Sequence, residues 1–300
     1  MKYAWIASHL DIFDLQPMCH VLSIKKSSFF SWCKTDHLAK EKTRHEDYQL
    51  IEHAFFDLKE NAGTRGIKGY LLHEKEKRMC RRKIGKILAT LGLKVKTQKR
   101  FKKQSTATIN DPRIKPNILN RHFKVSYPNQ VWVGDITEIK TRQGKLYLAA
   151  YIDLHSRRIV GFATAPHMRS ELVELALQRA LWSRKPPKGL MVHTDQGSQF
   201  VSNDYRKLLK AWDLKQSMSR RGNCWDNAVI ESFFKTFKVE TIYQHAQLIE
   251  TLDMKWLVDE FIGHYNHDRP HSSNDYLSPV KFEQVRLDQI SQIEKNLGTK

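Results

Sequence analysis

Cysteine is scarce in this chain, and the few cysteines form no regular framework. Only four occur in 300 residues, at positions 19, 33, 80 and 224, and none belongs to a Cys-x-x-Cys pair. Domains stapled by disulfides carry denser and more regular cysteines, so the sequence excludes that class and favours a reducing compartment. Cys19, Cys33 and His37 could contribute to a zinc site. We favour the alternative that the cysteines are small buried apolar residues.

Long apolar runs are missing as well. No run approaches the roughly 18 residues of a membrane-spanning helix. Asp11 and Asp14 interrupt the amino-terminal stretch in which a signal sequence would have its apolar core. We therefore expect a cytoplasmic protein with no membrane partner. Hydrophobic residues still make up 40% of the chain, which is enough to build packed cores.

Acidic residues are few relative to basic ones, and the imbalance is local. The chain has 51 Lys and Arg against 32 Asp and Glu, a net charge of +19. Residues 1–128 account for +15 of this, from 27 basic and 12 acidic residues. The densest stretch, 75–103, has thirteen basic residues and one acid, Glu76. Such a patch favours binding to a polyanion such as double-stranded DNA over a merely solvated basic face.

The amino-terminal third has helical periodicity. Residues 14–36 predict two short helices, in a helical region that we place at 1–45. We expect Val21, Leu22, Phe29, Phe30 and Trp32 to form their small core. Three more helices, near 46–60, 67–77 and 80–93, predict a helix-turn-helix domain at 46–95. The last has an apolar stripe of Ile84, Ile87, Leu88 and Leu91 and ends at Gly92. Its other faces carry Arg81, Arg82, Lys83 and Lys86, which we predict to contact DNA. The alternative is a plain helical hairpin with a solvated basic face.

The remainder predicts an α/β domain. Residues 96–124 are polar and basic and predict a linker, ordered only against DNA. Between 125 and 285, the runs VWVGDITEI, KLYLAAYIDLHS and RRIVGFATAP predict three sequential antiparallel strands. Helices near 170–183 and 203–212 alternate with strands at GLMVHT and 215–219, and helices near 226–239 and 251–266 follow. This order predicts a mixed sheet with helices on its faces, and residues 286–300 predict a tail.

Three carboxylates stand out in this domain. Asp135 and Asp195 lie in or directly after strongly apolar runs, although aspartate is depleted in strands. Glu231 lies on the polar side of an amphipathic helix. Taken singly, each has an ordinary alternative: a capping or turn role for the aspartates and a solvated surface position for the glutamate. Together they predict a shared site.

Such a trio suits metal-dependent chemistry on phosphodiesters. Phosphoryl transfer asks the protein mainly to position the nucleophile and to neutralise developing charge. Two Mg²⁺ ions roughly 3.5 to 4 Å apart can do both, and Mn²⁺ is a possible substitute. These cations prefer oxygen ligands, so carboxylates suffice.

Basic and amide side chains surround the predicted site. The segment SMSRRGN, with Arg220 and Arg221, precedes the helix of Glu231 and could be a mobile loop that clamps DNA. Further predicted DNA contacts are Asn227, Lys235, Lys238 and Arg269. We assign Asp226, a fourth acid nearby, to the start of the helix and not to a metal.

At this point the sequence resembles a known family. The pieces WVGDITEI, LYLAAYIDLHSRRIVG, HTDQGSQF, SMSRRGNCWDNAVIESFFKTFKVE and YNHDRPH followed by LSP are similar to transposases of bacterial insertion sequences, in the group encoded by a second reading frame with a retroviral-integrase-like core. They span most of 125–282, and RRKIGKIL resembles the same family's DNA-binding part. HTDQG stands where the family usually has HSDRG, and TRGIKG stands where a double arginine is common.

The resemblance implies an RNase H-like fold with Asp135, Asp195 and Glu231 as a metal-binding DDE triad. It implies nicking at the terminal inverted repeats and attack of the freed 3′-hydroxyl on target DNA, within a homo-oligomer on DNA. It also implies a possible first-frame protein joined by frameshifting. The alternatives are a nuclease of the same fold that does not join strands, and an inactive DNA-binding regulator.

Overall fold

The structure, a computed structural model, describes residues 2–34, 37–96, 113–243 and 249–297. It divides into two compact units, residues 1–53 and 54–300. The division falls within helix α4, His37–Asp57, as does the predicted boundary between residues 45 and 46. Residues 97–112 of the predicted linker lie outside the described residues. No helix in the described part of the chain is long and apolar enough to cross a bilayer.

The first unit contains three short helices, α1 (Lys2–Ala7), α2 (Leu15–Val21) and α3 (Lys26–Cys33). The two helices predicted within 14–36 are confirmed, and α1 was not predicted. The buried core consists of Ile6, Met18, Cys19 and Phe29. Val21 and Phe30 were wrong as core residues, since they are 79% and 49% exposed. Successive residues of a helix point about 100° apart, so only one side of a short helix faces the core. On α2 this side carries Met18 and Cys19. On α3 it carries Phe29, and the neighbouring Phe30 therefore points away from the core.

The cysteines differ from expectation in part. Cys19 is buried, as predicted, whereas Cys33 and Cys80 are exposed free thiols. The two exposed cysteines lie at the end of α3 and just before α6, where the chain leaves the core.

The second unit opens with two helices that pack together, α5 (Thr64–Glu74) and α6 (Arg81–Thr90). Ile84, Ile87 and Leu88 are buried on α6, which confirms three residues of the predicted stripe, whereas the fourth, Leu91, follows the helix and is half-buried. Gly92 follows with a φ of +70°, and the Leu93 amide donates to the Leu88 carbonyl at 2.9 Å. This left-handed backbone conformation favours glycine, because a side chain would be strained there. The predicted end of the helix at Gly92 is therefore confirmed.

A five-stranded mixed sheet forms the centre of this unit. Its strands are β1 (Val131–Thr141), β2 (Gly144–Asp153), β3 (Ile159–Ala165), β4 (Met191–Thr194) and β5 (Lys215–Met218). Their spatial order is β3-β2-β1-β4-β5. The first three are antiparallel, as predicted, whereas β4 pairs parallel with β1 and β5 pairs parallel with β4.

Helices cover both faces of the sheet. Helices α7 (Ser170–Arg184) and α8 (Asn203–Ala211) pack on one face, with the buried side chains of Trp132 and Val192. Helices α9 (Ala228–Phe237) and α10 (Thr251–His267) pack on the other, with Val131 and Val133. The alternation of side chains along β1 therefore sends neighbouring residues into two separate cores, as a pleated strand requires.

Two predicted boundaries are wrong. Residues 113–124, assigned to the linker, lie on the sheet domain: Leu119 is 4% exposed within its core, and the Met218 amide donates to the Pro116 carbonyl at 3.3 Å. Residues 286–297, assigned to a tail, continue helix α11 (Pro279–Leu297). Low apolar content concealed residues 113–124, because hydrogen bonds and a few apolar contacts such as Leu119 hold them to the sheet domain.

A buried ionic network holds α11 against the sheet domain. Glu283 is 4% exposed and accepts hydrogen bonds from Ser156 at 2.7 Å, Arg158 at 3.0 Å and Arg184 at 2.9 and 3.0 Å. Burial works to raise the pKa of Glu283, but the charge of Arg184 and these hydrogen bonds outweigh it and lower the pKa below its ordinary value. The ionised carboxylate therefore stabilises the folded state.

We predict that Glu283→Gln lowers the free energy of unfolding at pH 7 by about 3 kcal/mol, because it leaves buried guanidinium groups without their counter-charge. In a domain of this size that corresponds to a fall of about 6 to 12 °C in the unfolding midpoint, measurable by calorimetry. The control Glu138→Gln removes a partly exposed carboxylate paired with Lys145 at 3.0 Å. It should cost less than about 1 kcal/mol.

The pH dependence of this difference has a fixed sign. A carboxylate with a lowered folded pKa contributes stability above its unfolded pKa and loses it as the pH falls through the folded pKa. The gap between wild type and Glu283→Gln should therefore be full above pH 4.5, the ordinary pKa, and shrink in acid. A gap that stayed constant from neutral to strongly acid pH would contradict the assignment.

Candidate active site

The pairing of β1 with β4 brings two of the predicted acids to adjacent positions. Val131 pairs with Met191 and Val133 pairs with His193 in parallel register. Continued two residues further, the same register would bring Asp135 next to Asp195, which directly follows β4. Neighbouring strands lie about 4.8 Å apart. Asp135 lies in the middle of β1, and the strand continues for six residues beyond it.

Both aspartates lie on the sheet face that α9 covers. Asp135 follows Val133 at the two-residue spacing of one face, and Val133 packs with Ile230 and Phe233 of α9. On β4, His193 has the same spacing to Asp195, and its Nε2 lies 3.1 Å from the Asp226 carbonyl just before α9. The two carboxylates therefore point toward the helix that carries Glu231.

Local hydrogen bonds orient each aspartate. Asp135 Oδ1 accepts from the Ile136 amide at 2.7 Å, and Asp195 Oδ1 accepts from the Gly197 amide at 2.9 Å. The second contact is the Asx-turn that was the ordinary alternative for Asp195. A Cβ at Gly197 would lie 3.0 Å from this same oxygen, so the turn brings the backbone close to the carboxylate. A turn role and a ligand role are compatible here, because a carboxylate has two oxygens.

Glu231 lies at the border between the buried and exposed sides of α9. The helix is shorter than the predicted 226–239: a 3₁₀ turn, Cys224–Asn227, precedes it, and a π-helical turn, Lys238–Ile242, follows. Four apolar residues of the helix are buried: Ile230, Phe233, Phe234 and Phe237. Glu231 itself is half-buried.

The donor set suits a hard divalent cation. Three carboxylates and no nitrogen or sulfur ligand match the preference of Mg²⁺ and Mn²⁺ for oxygen. Within the described residues, no three or more His, Cys, Asp and Glu side chains are grouped so that they could hold a metal ion. The fold thus brings together the elements that carry Asp135, Asp195 and Glu231. The three side chains do not form a group of metal ligands in this structure.

Asp226 is the most strongly engaged acid near the site. It is fully buried, and its carboxylate accepts from Arg220 Nε and Arg121 Nε, each at 2.8 Å, and from Asn117 Nδ2 at 2.8 Å. The hydrogen bonds from Arg220 are the largest cause of a pKa far below the ordinary range. Asp226 therefore precedes the helix, as predicted, but works as a buried ionic anchor.

The segment 217–223 differs from the predicted mobile loop. Arg220 makes two side-chain hydrogen bonds to Asp226, and its backbone amide donates a third at 3.0 Å. Gln196, which occupies the position where the family usually has arginine, donates to the Ser219 carbonyl at 2.9 Å. The segment is thus tied to both Asp226 and the Asp195 turn.

The predicted DNA contacts fall into two groups by their placement. Exposed residues are Arg81, Arg82, Lys83 and Lys86 on α6, Arg221 before α9, and Lys235 on α9. Arg220 is exposed at its tip but paired, Lys238 is half-buried, and Asn227 is 4% exposed. Sequence reasoning did not select Trp225, which is 68% exposed beside the buried Asp226. No pattern in the sequence indicated that Trp225 would be exposed next to a buried Asp226.

The YNHDRPH segment now has a structural explanation. Asn266 accepts from the Ile159 amide at 2.9 Å and donates to the Ile159 carbonyl at 3.0 Å, which ties α10 to β3. Arg269 donates to Glu240 at 2.7 Å, and that ion pair accounts for the side chain predicted to reach DNA. Tyr265 packs edge-on against Phe233, and His271 Nδ1 accepts from the Ser273 amide.

Comparison with known proteins agrees with this geometry. Two family profiles, both described as integrase core domain, match residues 126–224 and 213–279. Transposase InsF for insertion sequence IS3A of Escherichia coli strain K12 is 36% identical over 295 residues, covering 96% of this chain and 100% of that protein. The uncharacterized 31 kDa protein of insertion element IS600 from Shigella sonnei is 34% identical, covering 89% of this chain and 97% of that protein.

A solved structure is also similar. The HTLV-2 integrase catalytic core domain in complex with magnesium, in its trimeric form, is 17% identical, with a TM-score of 0.43, and covers 52% of this chain and 97% of that chain. The identification itself rests on the two profiles and on the transposase relatives that match nearly the whole length. By these matches, the chain belongs to the family of bacterial insertion-sequence transposases, with an integrase core domain.

Proposed function

We propose that Asp135, Asp195 and Glu231 are the catalytic carboxylates of a DDE transposase, a polynucleotidyl transferase that cuts DNA at the ends of its element and joins the freed end to a target. One observation carries the proposal. Val133 and His193 are paired in the β1–β4 register, and each lies two residues before one of the aspartates, on the sheet face that α9, the helix of Glu231, covers.

The three side chains have different mechanical support. Asp135 lies in β1 and Asp195 directly follows the neighbouring strand β4, so the pairing of these two strands limits how far apart they can lie. The position of Glu231 depends instead on how α9 packs on the sheet. When bound, a pair of Mg²⁺ ions would neutralise charge on the attacking and leaving oxygens of the phosphodiester. The carboxylates would hold this pair, and Mn²⁺ would suit the same oxygen ligands. We propose that the three side chains converge when cation and DNA end are both present.

The nucleophile then follows from the order of the two steps. Water attacks first and releases a 3′-hydroxyl at the element end. In the second step that hydroxyl attacks a target phosphodiester, so one P–O bond forms as another breaks. In both steps the residues of this chain orient the phosphate and exclude misaligned water, which is where positioning contributes most to the rate.

DNA would contact two basic surfaces. The exposed Arg81, Arg82, Lys83 and Lys86 on α6 would bind the terminal inverted repeat, as the recognition helix of a helix-turn-helix. Arg221 and Lys235 flank Glu231 and would contact the phosphates at the cleaved bond. Lys238, Asn227 and Arg269, being more buried or paired, would act by supporting α9.

We further propose that the protein works as a homo-oligomer on DNA and with a first-frame partner as a frameshift fusion. Two element ends must meet one target, which a single active site cannot hold at once. The work would take place at the bacterial nucleoid in the cytoplasm, where the element and its target lie.

We predict that Asp135→Asn, Asp195→Asn and Glu231→Gln each reduce end cleavage by about a thousandfold or more, since each removes charge stabilisation from the transition state. Binding to end DNA should persist. The assay is release of a labelled strand from an oligonucleotide bearing the element end. Asp204→Asn, which changes an exposed carboxylate on α8, is the matched control and should keep wild-type activity. Full cleavage by Asp195→Asn would refute the assignment.

Joining separates this enzyme from a nuclease that only cuts. We expect a pre-nicked end DNA to be joined to a target plasmid when it carries a 3′-hydroxyl and not when it ends in a dideoxynucleotide. Both substrates should bind equally well. Cleavage without any joined product, under conditions in which the nicked end stays bound, would favour the nuclease.

The role of α6 can be tested by salt dependence. We predict that Arg81→Ala with Arg82→Ala lowers the slope of log affinity against log salt by about 2, because each lost phosphate contact removes about one released counterion. The control, Lys207→Ala with Lys210→Ala, removes the same charge from α8 and should leave the slope unchanged. Fluorescence anisotropy with end DNA measures both. Equal slopes in the two double variants would place the DNA elsewhere.

A further inference from the structure

A short segment before the sheet, residues 117–121, makes many hydrogen bonds to residues near the active site. Residues 117–121 lie in the part of the chain that joins α6 to β1. Asn117 and Arg121 both donate to Asp226, each at 2.8 Å. Arg121 also donates to Asn223 at 2.9 Å. Glu231 is five positions after Asp226 along the chain, so these contacts attach the segment to the start of the catalytic helix.

The carboxylate of Asp226 is fully committed to this role. Oδ1 accepts from Arg121 and Arg220, and Oδ2 accepts from Asn117 and from Arg220 through both side chain and backbone. A carboxylate has about four lone-pair sites, so its capacity is filled. Of its partners, Arg220 belongs to the loop before α9, whereas Asn117 and Arg121 come from the incoming segment.

A second connection reaches the same point through β5 and β4. The amides of Ile118 and Leu119 donate to Ser217 Oγ at 2.9 and 3.2 Å, so its hydroxyl proton is available for His193 Nδ1 at 2.9 Å. His193 Nε2 lies 3.1 Å from the Asp226 carbonyl, which can only accept. Every donor and acceptor is matched if His193 carries its proton on Nε2.

Both connections meet at Asp226, and both begin in the same five residues. One passes through charged side chains to the carboxylate, and the other passes through Ser217 and His193 to the carbonyl. His193 is two residues before Asp195, so the second connection also runs beside the other catalytic strand. The position of Glu231 relative to Asp195 thus depends on where residues 117–121 lie.

We propose that residues 117–121 are a positioning segment, whose docking on Asp226 and Ser217 sets the start of α9 and thereby places Glu231 against the two aspartates. The proposal rests on the proposed function, because it takes Glu231 as a catalytic carboxylate. It adds Arg121 and Asp226 as positioning residues for the reaction. The segment is also part of the covalent link between α6 and β1, so it could connect the DNA-binding helices to the active site.

Exposure distinguishes positioning from simple stabilisation. The side chain of Arg121 is 44% exposed, whereas Asp226 is 0% exposed. A partly exposed ion pair contributes little to global stability. Arg220 would still pair with Asp226 if Arg121 were removed. The loss of Arg121 should therefore shift the helix start without unfolding the domain.

The test uses the full-length protein with Arg121→Ala, and with Arg121→Lys as the conservative variant. The matched control is Arg142→Ala, which removes an arginine that is 72% exposed and 3.7 Å from Glu250. End cleavage is measured against Mg²⁺ concentration, with end-DNA affinity and the unfolding midpoint measured in parallel. Hydrogen exchange at residues 224–231 reports on the start of α9.

We expect Arg121→Ala to raise the Mg²⁺ concentration for half-maximal cleavage, or to lower the maximal rate, by about tenfold to a hundredfold. End-DNA affinity and the unfolding midpoint should stay at wild-type values, and exchange should quicken at 224–231. Arg121→Lys should recover part of the activity, because it restores the charge but not the second hydrogen bond to Asn223. The control should match wild type throughout.

Three outcomes would overturn the proposal. Wild-type Mg²⁺ dependence and rate in Arg121→Ala would exclude a positioning role. A loss of end-DNA affinity alone would make Arg121 a DNA contact. A lowered unfolding midpoint with unchanged kinetics would make it merely structural. If the triad variants themselves stayed active, the proposed function would fail first, and that result is separate from all three.

Discussion

The parallel pairing of β1 with β4 is the constraint on which the site depends. Antiparallel β1, β2 and β3 form a sheet that could stand without any active site. Adding β4 in parallel beside β1 brings positions two residues beyond Val133 and His193 to the same level of the sheet. Because side chains alternate between faces, both aspartates then point to one side. The rest of the fold supplies what faces them.

Charge explains why the surroundings of the site are so strongly hydrogen-bonded. A buried carboxylate without partners would take up a proton or destabilise the fold. At Asp226 five donors prevent this, and at Glu283 four hydrogen bonds from three residues do the same. The two networks do different work: Glu283 holds α11 in place, whereas Asp226 joins the incoming segment to the catalytic helix.

The periodic elements were predictable from the sequence because their signals are local. Three such signals each depend on residues that are close together in the sequence. They are the alternating pattern of β1, the stripe of Ile84, Ile87 and Leu88, and the end of the helix at Gly92. Residues 113–124 and α11 were misjudged for the converse reason. Their apolar content is low, and what holds them is a set of hydrogen bonds to residues about a hundred or more positions away, such as Ser217 for Ile118. No local pattern records such partners.

The sequence alone determined which residue types were available: aspartates in apolar strands, a glutamate on an amphipathic helix, and a basic helix that ends at glycine. These follow from side-chain chemistry and from the period of each element. Only the tertiary structure decided that the strands leading to Asp135 and Asp195 pair with each other, that Arg220 and Arg269 are paired with acids, and that Asp226 is buried. Strand pairing and burial are properties of the whole packed chain, because the free energy of a buried charge depends on partners that only folding brings together.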